Sequence, residues 1–299
     1  MSNLHPYTVG ALSPTAVGRC STPDCRGLAR ISRWSLFALL GLTIGAAMFM
    51  SSCGGATMTK DGKSSTSSWP GEIVVSASAD LSPVLAELTP LFKKESGLTL
   101  KTNLGSTGQL TEQIAAGARV DVFLAASKSA IDQLAQKGLL VPGSDQFYAR
   151  GRLVLWTRPG SSVSVKTVQD LTAPDVKRIS LANPDHATYG QAAREALQSA
   201  GLWDKLQPKL VPAENVRQAF QFAETGNVDV GLVALSLVAF AGGTYELVPE
   251  ELHEPINQTL AIVASSTHQS EARQFIAFLT GEKGREILQK FGFILPEKG

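Results

Sequence analysis

The sequence predicts an α/β protein of two similar lobes, each with a doubly wound, mostly parallel sheet, and with a cleft between the lobes. Strand and helix patterns alternate from residue 71 onward, which is typical of parallel sheets covered by helices on both faces. The alternating body, about 230 residues, is long for one doubly wound unit. A hydrophobic content of 43% is enough to build two cores.

Apolar or β-branched runs predict the strands, and amphipathic stretches that end at glycine predict the helices. In the first half, these are a strand at 72–78, a helix at 81–97, a strand at 98–104, a helix at 107–117, a strand at 120–126 and a helix at 127–138. In the second half, they are strands at 151–160 and 176–184, helices at 189–206 and 212–226, strands at 229–240 and 256–265, and two closing helices over 270–293.

The order of these elements predicts where the chain changes lobe. The second lobe is expected at 153–257. The first lobe is expected to combine 71–152 with 258–299, because the last strand and the closing helices return to it.

The N-terminus has the features of an export signal. An arginine-containing stretch precedes the uncharged run 34–50, and small residues follow up to Cys53. This order is typical of a secretory signal, and the run is short for a membrane span. We predict a signal peptide over 1–53 and a flexible linker over 54–70. The small residues before Cys53 resemble a bacterial lipobox, which predicts lipidation of that thiol; the alternative is an uncleaved anchor in which Cys53 is incidental.

Composition argues against several classes of function. The net charge is +1, so we expect no nucleic-acid binding. No cysteine follows Cys53, and the three histidines beyond it lack metal-ligand spacing. A G-x-S-x-G motif is absent, and the adjacent pair Asp185–His186 is typical of a solvated loop. We therefore expect no enzyme activity, no cofactor and no bare metal cation.

Helix starts are the best candidates for a binding site. Four of them follow predicted strands, at 79–81, 105–108, 188–190 and 214–216. The first N–H groups of a helix are unpaired and carry partial positive charge. In doubly wound sheets these starts lie at the carboxyl ends of strands, where ligands bind. Several starts that converge would hold an anion without a lysine.

The alternative for each start is an ordinary helix cap, and Asp80, Thr107 and Asn215 are residues of that type. Gly105 and Gly108 favour the ligand hypothesis for the stretch NLGSTGQL, because glycine lets a backbone approach a ligand closely. We interpret this stretch as an open binding site for an oxyanion that is held by hydroxyl and amide N–H groups.

Several stretches together resemble the molybdate-binding proteins of bacterial ABC transporters, which are type II periplasmic solute-binding proteins. The match runs in order through residues 71–299. The stretches that carry it are VVSASADL (74–81), LFKKESG (91–97), GSTGQLTEQIAAGARVDVFLAAS (105–127), LANPDHATYGQAAREAL (181–197), LWDKLQPKLVPAENVRQAF (202–220), VGLVAL (230–235), VPEELHEPINQTLAIV (248–263) and GFILP (292–296).

The resemblance implies two lobes that close around one tetrahedral oxyanion, held by neutral hydrogen bonds. By position, the implied ligand contacts are Ala79, Asp80, Ser106, Thr107, Tyr189 and Val216. Many relatives have serine where Asp80 stands, so we expect its carboxylate to cap its own helix and turn away from the anion. Some relatives have tyrosine where Ala234 stands, and the Tyr189 hydroxyl is a candidate replacement.

The resemblance also implies a function. The protein would capture molybdate, and tungstate with it, and deliver the anion to an ABC permease and its ATPase. We expect a monomer in the periplasm or cell envelope, held to the membrane by the lipid on Cys53.

Three alternatives stay open. The first is a binder of another tetrahedral oxyanion, such as sulfate or phosphate. The second is an exported hydrolase that uses Asp80 or His186 with the hydroxyl loop, although we see no nucleophile–base pair in the sequence. The third is a sensory ligand domain.

Overall fold

The computed structural model describes residues 71–297. The predictions for the signal peptide, the linker and Cys53 lie outside these residues. Ten strands, numbered in chain order, are β1 (Glu72–Ser78), β2 (Thr99–Gly105), β3 (Val122–Ala125), β4 (Gln146–Gly151), β5 (Leu153–Thr157), β6 (Ile179–Ala182), β7 (Leu210–Ala213), β8 (Val230–Ala234), β9 (Thr244–Leu247) and β10 (Ile256–Ile262) within the described range.

Nine α-helices connect the strands of this range. They are α1 (Ser82–Ser96), α2 (Thr107–Ala115), α3 (Lys128–Gln136), α4 (Thr188–Ser199), α5 (Trp203–Leu206), α6 (Val216–Glu224), α7 (Leu235–Val238), α8 (Gln269–Thr280) and α9 (Glu282–Lys290). A short 3-10 turn, Ala79–Leu81, joins β1 to α1.

The strands form two five-stranded sheets with the same topology. The first has the order β2-β1-β3-β10-β4, and the second has the order β7-β6-β8-β5-β9. In each sheet three neighbouring strands are parallel, and the fourth strand of the order runs antiparallel to both of its neighbours. The prediction of two α/β lobes is confirmed; each sheet is mixed, with two parallel and two antiparallel pairings.

The chain crosses between the sheets twice. Only Arg152 separates β4 of the first sheet from β5 of the second, and residues 248–255 lead back from β9 to β10. Helices α8 and α9 then pack Phe275, Leu279 and Leu288 into the core beneath the first sheet. We call the sheet with β10 and its helices α1–α3, α8 and α9 the first lobe, and the sheet with β5 and helices α4–α7 the second lobe.

Three strands were missed by the sequence patterns. Strand β7 lies where a helix was predicted to begin, because Pro212 is typical of a helix start but is also tolerated in an edge strand. Strands β4 and β9 are the opposite edges of the two sheets. Edge strands face water on one side, and residues such as Phe147 and Tyr245 are exposed there, so no buried apolar run marks them.

The fold brings helix starts to the carboxyl ends of strands. Helix α2 starts after β2, α4 after β6, and α6 after β7, while the 3-10 turn follows β1 directly. Asn215 caps α6 as predicted, since its Oδ1 accepts the N–H of Gln218 at 3.0 Å. The cap prediction for Thr107 is wrong, because Thr107 is the first residue of α2 and its Oγ1 accepts the N–H of Ala126 at 3.2 Å.

Replacement of Asn215 should show how much its side-chain cap contributes to the stability of the protein. Asn215→Ala should lower the free energy of unfolding by about 1 kcal/mol, because the Gln218 N–H loses its acceptor. Asn215→Ser, which keeps an acceptor oxygen at this position, is the matched control and should lose much less. Equal chemical denaturation curves for both variants would contradict this role.

Candidate functional site

The six predicted contacts all lie in the interior, where the two lobes meet. Ala79, Asp80, Ser106, Thr107, Tyr189 and Val216 are each at most 3% exposed. The site is therefore enclosed in this structure, which has the lobes in contact.

The helix α2 start touches the second lobe directly. The Ser106 Oγ lies 2.9 Å from Nδ1 of His186, and the N–H of Gly108 donates to the His186 carbonyl oxygen at 2.8 Å. One unpaired N–H of a first-lobe helix is thus satisfied by a carbonyl of the second lobe. At the rim, Nε2 of Gln109 donates to Glu214 across the same boundary at 2.7 Å.

Gly108 is needed for this approach. A Cβ at position 108 would lie 2.7 Å from the His186 carbonyl oxygen, which is closer than real Cβ atoms come to a backbone oxygen. A Cβ at Gly105 would meet only the Leu110 side chain of the same lobe, at 3.3 Å. We interpreted both glycines as making room for a ligand, whereas Gly108 makes room for the other lobe.

Asp80 is the centre of a buried polar cluster. Its Oδ2 accepts the Tyr189 hydroxyl at 3.0 Å and the Gln258 Nε2 at 2.7 Å. Its main-chain carbonyl accepts the Ser236 hydroxyl at 2.8 Å. Tyr189 and Ser236 belong to the second lobe, so Asp80 joins the lobes. The prediction that its side chain caps its own helix is wrong, because Leu81 precedes α1 without a side-chain cap.

The electrostatics of this cluster are unusual. Burial raises the pKa of Asp80 above its ordinary value, and the nearby Ser78 hydroxyl, the hydrogen bonds from Tyr189 and Gln258 and the main-chain N–H of Asp80 itself oppose the rise. Burial and the charge of Asp80 raise the pKa values of Tyr189 and Tyr148 well above the ordinary value, so both phenols stay neutral donors. The Asp80 Oδ1 has no hydrogen-bond partner among the described residues.

The Tyr189 hydroxyl is not free for an anion, since its proton goes to Asp80. It lies against Gly151 at the crossing between the lobes, where any Cβ would overlap it. The remaining candidate donor of Tyr189 is its main-chain N–H, which lies in the first turn of α4 and has no intrahelical acceptor.

Val216 of the second lobe and Ala79 of the first lobe lie close together at the lobe boundary. Val216 is the first residue of α6, which packs against the 3-10 turn that holds Ala79 and Asp80. Ala79 is buried in the apolar cluster of the second lobe, together with Val216 and Tyr189. These first-turn N–H groups are therefore gathered at one lobe boundary.

Thr107 lies beside a small cavity of about 160 Å³ between the lobes, which His186 and Thr188 also line. Its hydroxyl accepts the Ala126 N–H, and a hydroxyl that accepts can still donate its own proton. Thr107 is therefore available as a donor at this boundary.

Two residues of this boundary, Ser236 and Gln258, were not predicted from the sequence, and His186 was predicted only as a loop residue or as part of a hydrolase. Gln258 had a weak signal in the sequence, a polar side chain in a predicted strand, and the structure shows that its amide is fully buried. Ser236 had none, since an isolated serine in an apolar helix is common.

The structure does form one hydroxyl–imidazole pair, Ser106 with His186, although we expected none. A catalytic triad also needs a carboxylate that orients the imidazole. The adjacent Asp185 pairs with Arg194 instead, at 3.6 Å.

Within residues 71–297, no group of three or more His, Cys, Asp or Glu side chains is placed to hold a metal ion. No helix of this range combines the length and apolar character that a membrane crossing requires.

Two lobes of one topology, with converging helix starts at their boundary, define a two-lobed solute-binding protein. The family model described as "Bacterial extracellular solute-binding protein" matches residues 73–294, and the chain belongs to this family. It is 35% identical over 225 residues to the molybdate-binding protein ModA of Rhodobacter capsulatus, covering 75% of this chain and 88% of that relative.

Two further relatives extend the comparison. The structure of the Azotobacter vinelandii periplasmic molybdate-binding protein matches with a TM-score of 0.72 at 32% identity, covering 75% of this chain and all of that one. A putative ABC transporter substrate-binding lipoprotein of Bacillus subtilis, YvgL, is 29% identical over 224 residues, or 74% of this chain and 85% of the relative.

Gly108→Ala should disfavour contact between the lobes, because the new methyl group meets the backbone of His186. We expect a larger radius of gyration by small-angle X-ray scattering, with the secondary structure unchanged. Gly105→Ala, whose methyl group meets only the Leu110 side chain of the same lobe, is the matched control and should scatter like the wild type. Identical scattering of all three proteins would show that Gly108 does not limit closure.

Proposed function

We propose that this protein is the extracytoplasmic solute-binding component of an ABC importer, and that it captures molybdate, with tungstate as an alternative ligand. The observation that carries the proposal is the 35% identity to a molybdate-binding protein over 75% of the chain. The convergence of buried helix starts at the lobe boundary supports it, since such starts bind anions through N–H groups.

The proposed ligand contacts are main-chain N–H groups and hydroxyls. Ala79, Asp80, Tyr189 and Val216 would each donate a main-chain N–H, and Ser106 and Thr107 would donate hydroxyls. No cation makes an ion pair within this set in the described part of the chain. Neutral donors suit a fully ionised oxyanion, because each donor needs an acceptor oxygen.

Capture would work through lobe closure. Ala79, Asp80, Ser106 and Thr107 belong to the first lobe, and Tyr189 and Val216 belong to the second. An anion that contacts both lobes binds the closed form more tightly than the open form, and so shifts the population toward closure. The hydrogen bonds of Asp80 and His186 across the boundary would stabilise the same closed form.

Delivery would need a membrane permease and an ATPase. Lipidation of Cys53 would hold the protein, as a monomer, at the membrane beside that permease. The similarity to a putative substrate-binding lipoprotein supports this anchoring. A hydrolase is less well supported, because the Ser106–His186 pair lacks an orienting carboxylate.

Calorimetric titration with molybdate, tungstate, sulfate and phosphate tests the proposal. We expect tight binding of molybdate and tungstate at one site per chain, and much weaker binding of the other two anions. Strong binding of sulfate or phosphate without binding of molybdate would overturn the choice of ligand. Turnover of an ester substrate that is lost in His186→Ala would instead favour the hydrolase.

Val216→Pro tests a main-chain donor directly. Proline removes the N–H and also replaces the valine side chain; it is well tolerated at the first helical position, and the extended backbone of Asn215 is compatible with a following proline. We expect molybdate affinity to fall roughly 10- to 150-fold, the value of one hydrogen bond to a charged group. Val216→Ala keeps the N–H and is the control; equal affinities of the two variants would exclude Val216 from the site.

A further inference from the structure

Asp80 is a buried acidic residue that has no positively charged partner among residues 71–297. It is 0% exposed, and none of the ion pairs of residues 71–297 includes it. Burial of an unpaired carboxylate is costly, and proteins usually avoid it by pairing or by protonation. A protein that binds a dianion would be expected to avoid such a group altogether, so its presence at this position needs an explanation.

The surroundings of Asp80 supply donors but no positive charge. The titratable groups that face it are the phenols of Tyr148 on β4 and Tyr189 on α4, which stay neutral. Arg217 of α6, which packs against the same turn, is exposed. At the lobe crossing, Arg150 pairs with Glu250 at 3.6 Å.

The remaining neighbours of Asp80 carry no ionisable group. Gln258 of β10 donates to its carboxylate, and Ser236 of α7 donates to its carbonyl. Ser78, which ends β1, offers a further hydroxyl. Arg152, which flanks the crossing, does carry a charge but makes no ion pair with Asp80 within the described residues.

The two carboxyl oxygens of Asp80 differ. Oδ2 accepts two hydrogen bonds, from Tyr189 and Gln258, whereas the buried Oδ1 has no partner in the described part of the chain. An unpartnered buried oxygen is uncommon and costly. The Ser78 hydroxyl influences the carboxyl group but makes no hydrogen bond of normal geometry with Oδ1, so a proton on Oδ1 would have no acceptor among the described residues. An oxyanion bound at the N–H of the same residue would supply that acceptor.

We propose that Asp80 binds the oxyanion in its protonated form, with the proton on Oδ1 donated to an anion oxygen, so that capture of the anion is coupled to uptake of one proton from solvent. This inference rests on the proposed function and adds a seventh donor to it. Because Tyr189 and Gln258 donate to Oδ2, that oxygen stays an acceptor and the proton lies on Oδ1. Asp80 thereby favours oxyanions that are good hydrogen-bond acceptors, such as molybdate, over the less basic sulfate.

The direction in which anion affinity changes with pH follows from the linkage between anion binding and protonation of Asp80. In the closed arrangement without a ligand, burial raises the pKa of Asp80 above its ordinary value, and a bound dianion raises that pKa further. Below the free-state pKa the acid is already protonated, and affinity is highest and constant. Between the free-state and bound-state pKa values, affinity falls by up to tenfold for each pH unit, and one proton is taken up on binding.

The experiment is calorimetric titration of the purified protein with micromolar molybdate from about pH 5.5 to 9, in two buffers of different ionisation enthalpy. Wild-type affinity should fall with rising pH, and the buffer dependence should report proton uptake over the same range. Asp80→Asn should bind with no such pH dependence, because its amide keeps the acceptor for Tyr189 and Gln258 and presents a permanent donor in place of Oδ1. At the highest pH it should bind more tightly than the wild type.

Tyr189→Phe separates this role from a merely structural one. The Tyr189 hydroxyl stabilises the ionised form of Asp80, so its loss should move the fall in affinity to higher pH. Equal pH slopes in wild type and Asp80→Asn, with tight binding in both, would overturn the proton coupling and leave the proposed function standing. Absence of molybdate binding in every variant at every pH would overturn the proposed function itself.

Discussion

The hydrogen bond between Asp80 and Tyr189 is the contact on which the closed arrangement depends. It lies deep at the lobe boundary, 3.0 Å long and fully buried, next to the bond from Ser236 to the Asp80 carbonyl. A carboxyl group in an apolar interior needs donors, and two of the groups around Asp80 come from the second lobe. Burial of Asp80 and closure of the lobes therefore occur together, because each is unfavourable without the other.

Close approach of the two backbones is the second constraint. Gly108 meets the carbonyl of His186, and Gly151 leaves space for the Tyr189 hydroxyl at the crossing between the lobes. In both places a single methyl group would meet atoms of the other lobe. The lobes can thus come close enough for helix starts on both sides to meet at one boundary.

The two lobes repeat one sheet order, and this repetition supplies the neutral donors of the proposed binding site. Each parallel strand delivers a helix start at its carboxyl end, so the boundary collects several unpaired N–H groups from both sides. No lysine or arginine has to be buried there, with the desolvation that this would cost. Asp80 is the exception to this neutrality, and its single unsatisfied oxygen distinguishes this site from one made of amides and hydroxyls alone.

Sequence by itself determined the alternation of strands and helices, the cap at Asn215 and the family resemblance, because periodicity and capping are properties of neighbouring residues. It could not show the edge strands β4, β7 and β9, whose half-exposed residues leave no apolar run. Only the tertiary structure decided the partners of Asp80, Ser106 and Gln258. Those partners lie 80 to 178 residues apart in the chain, and no local pattern selects among so many possible pairs.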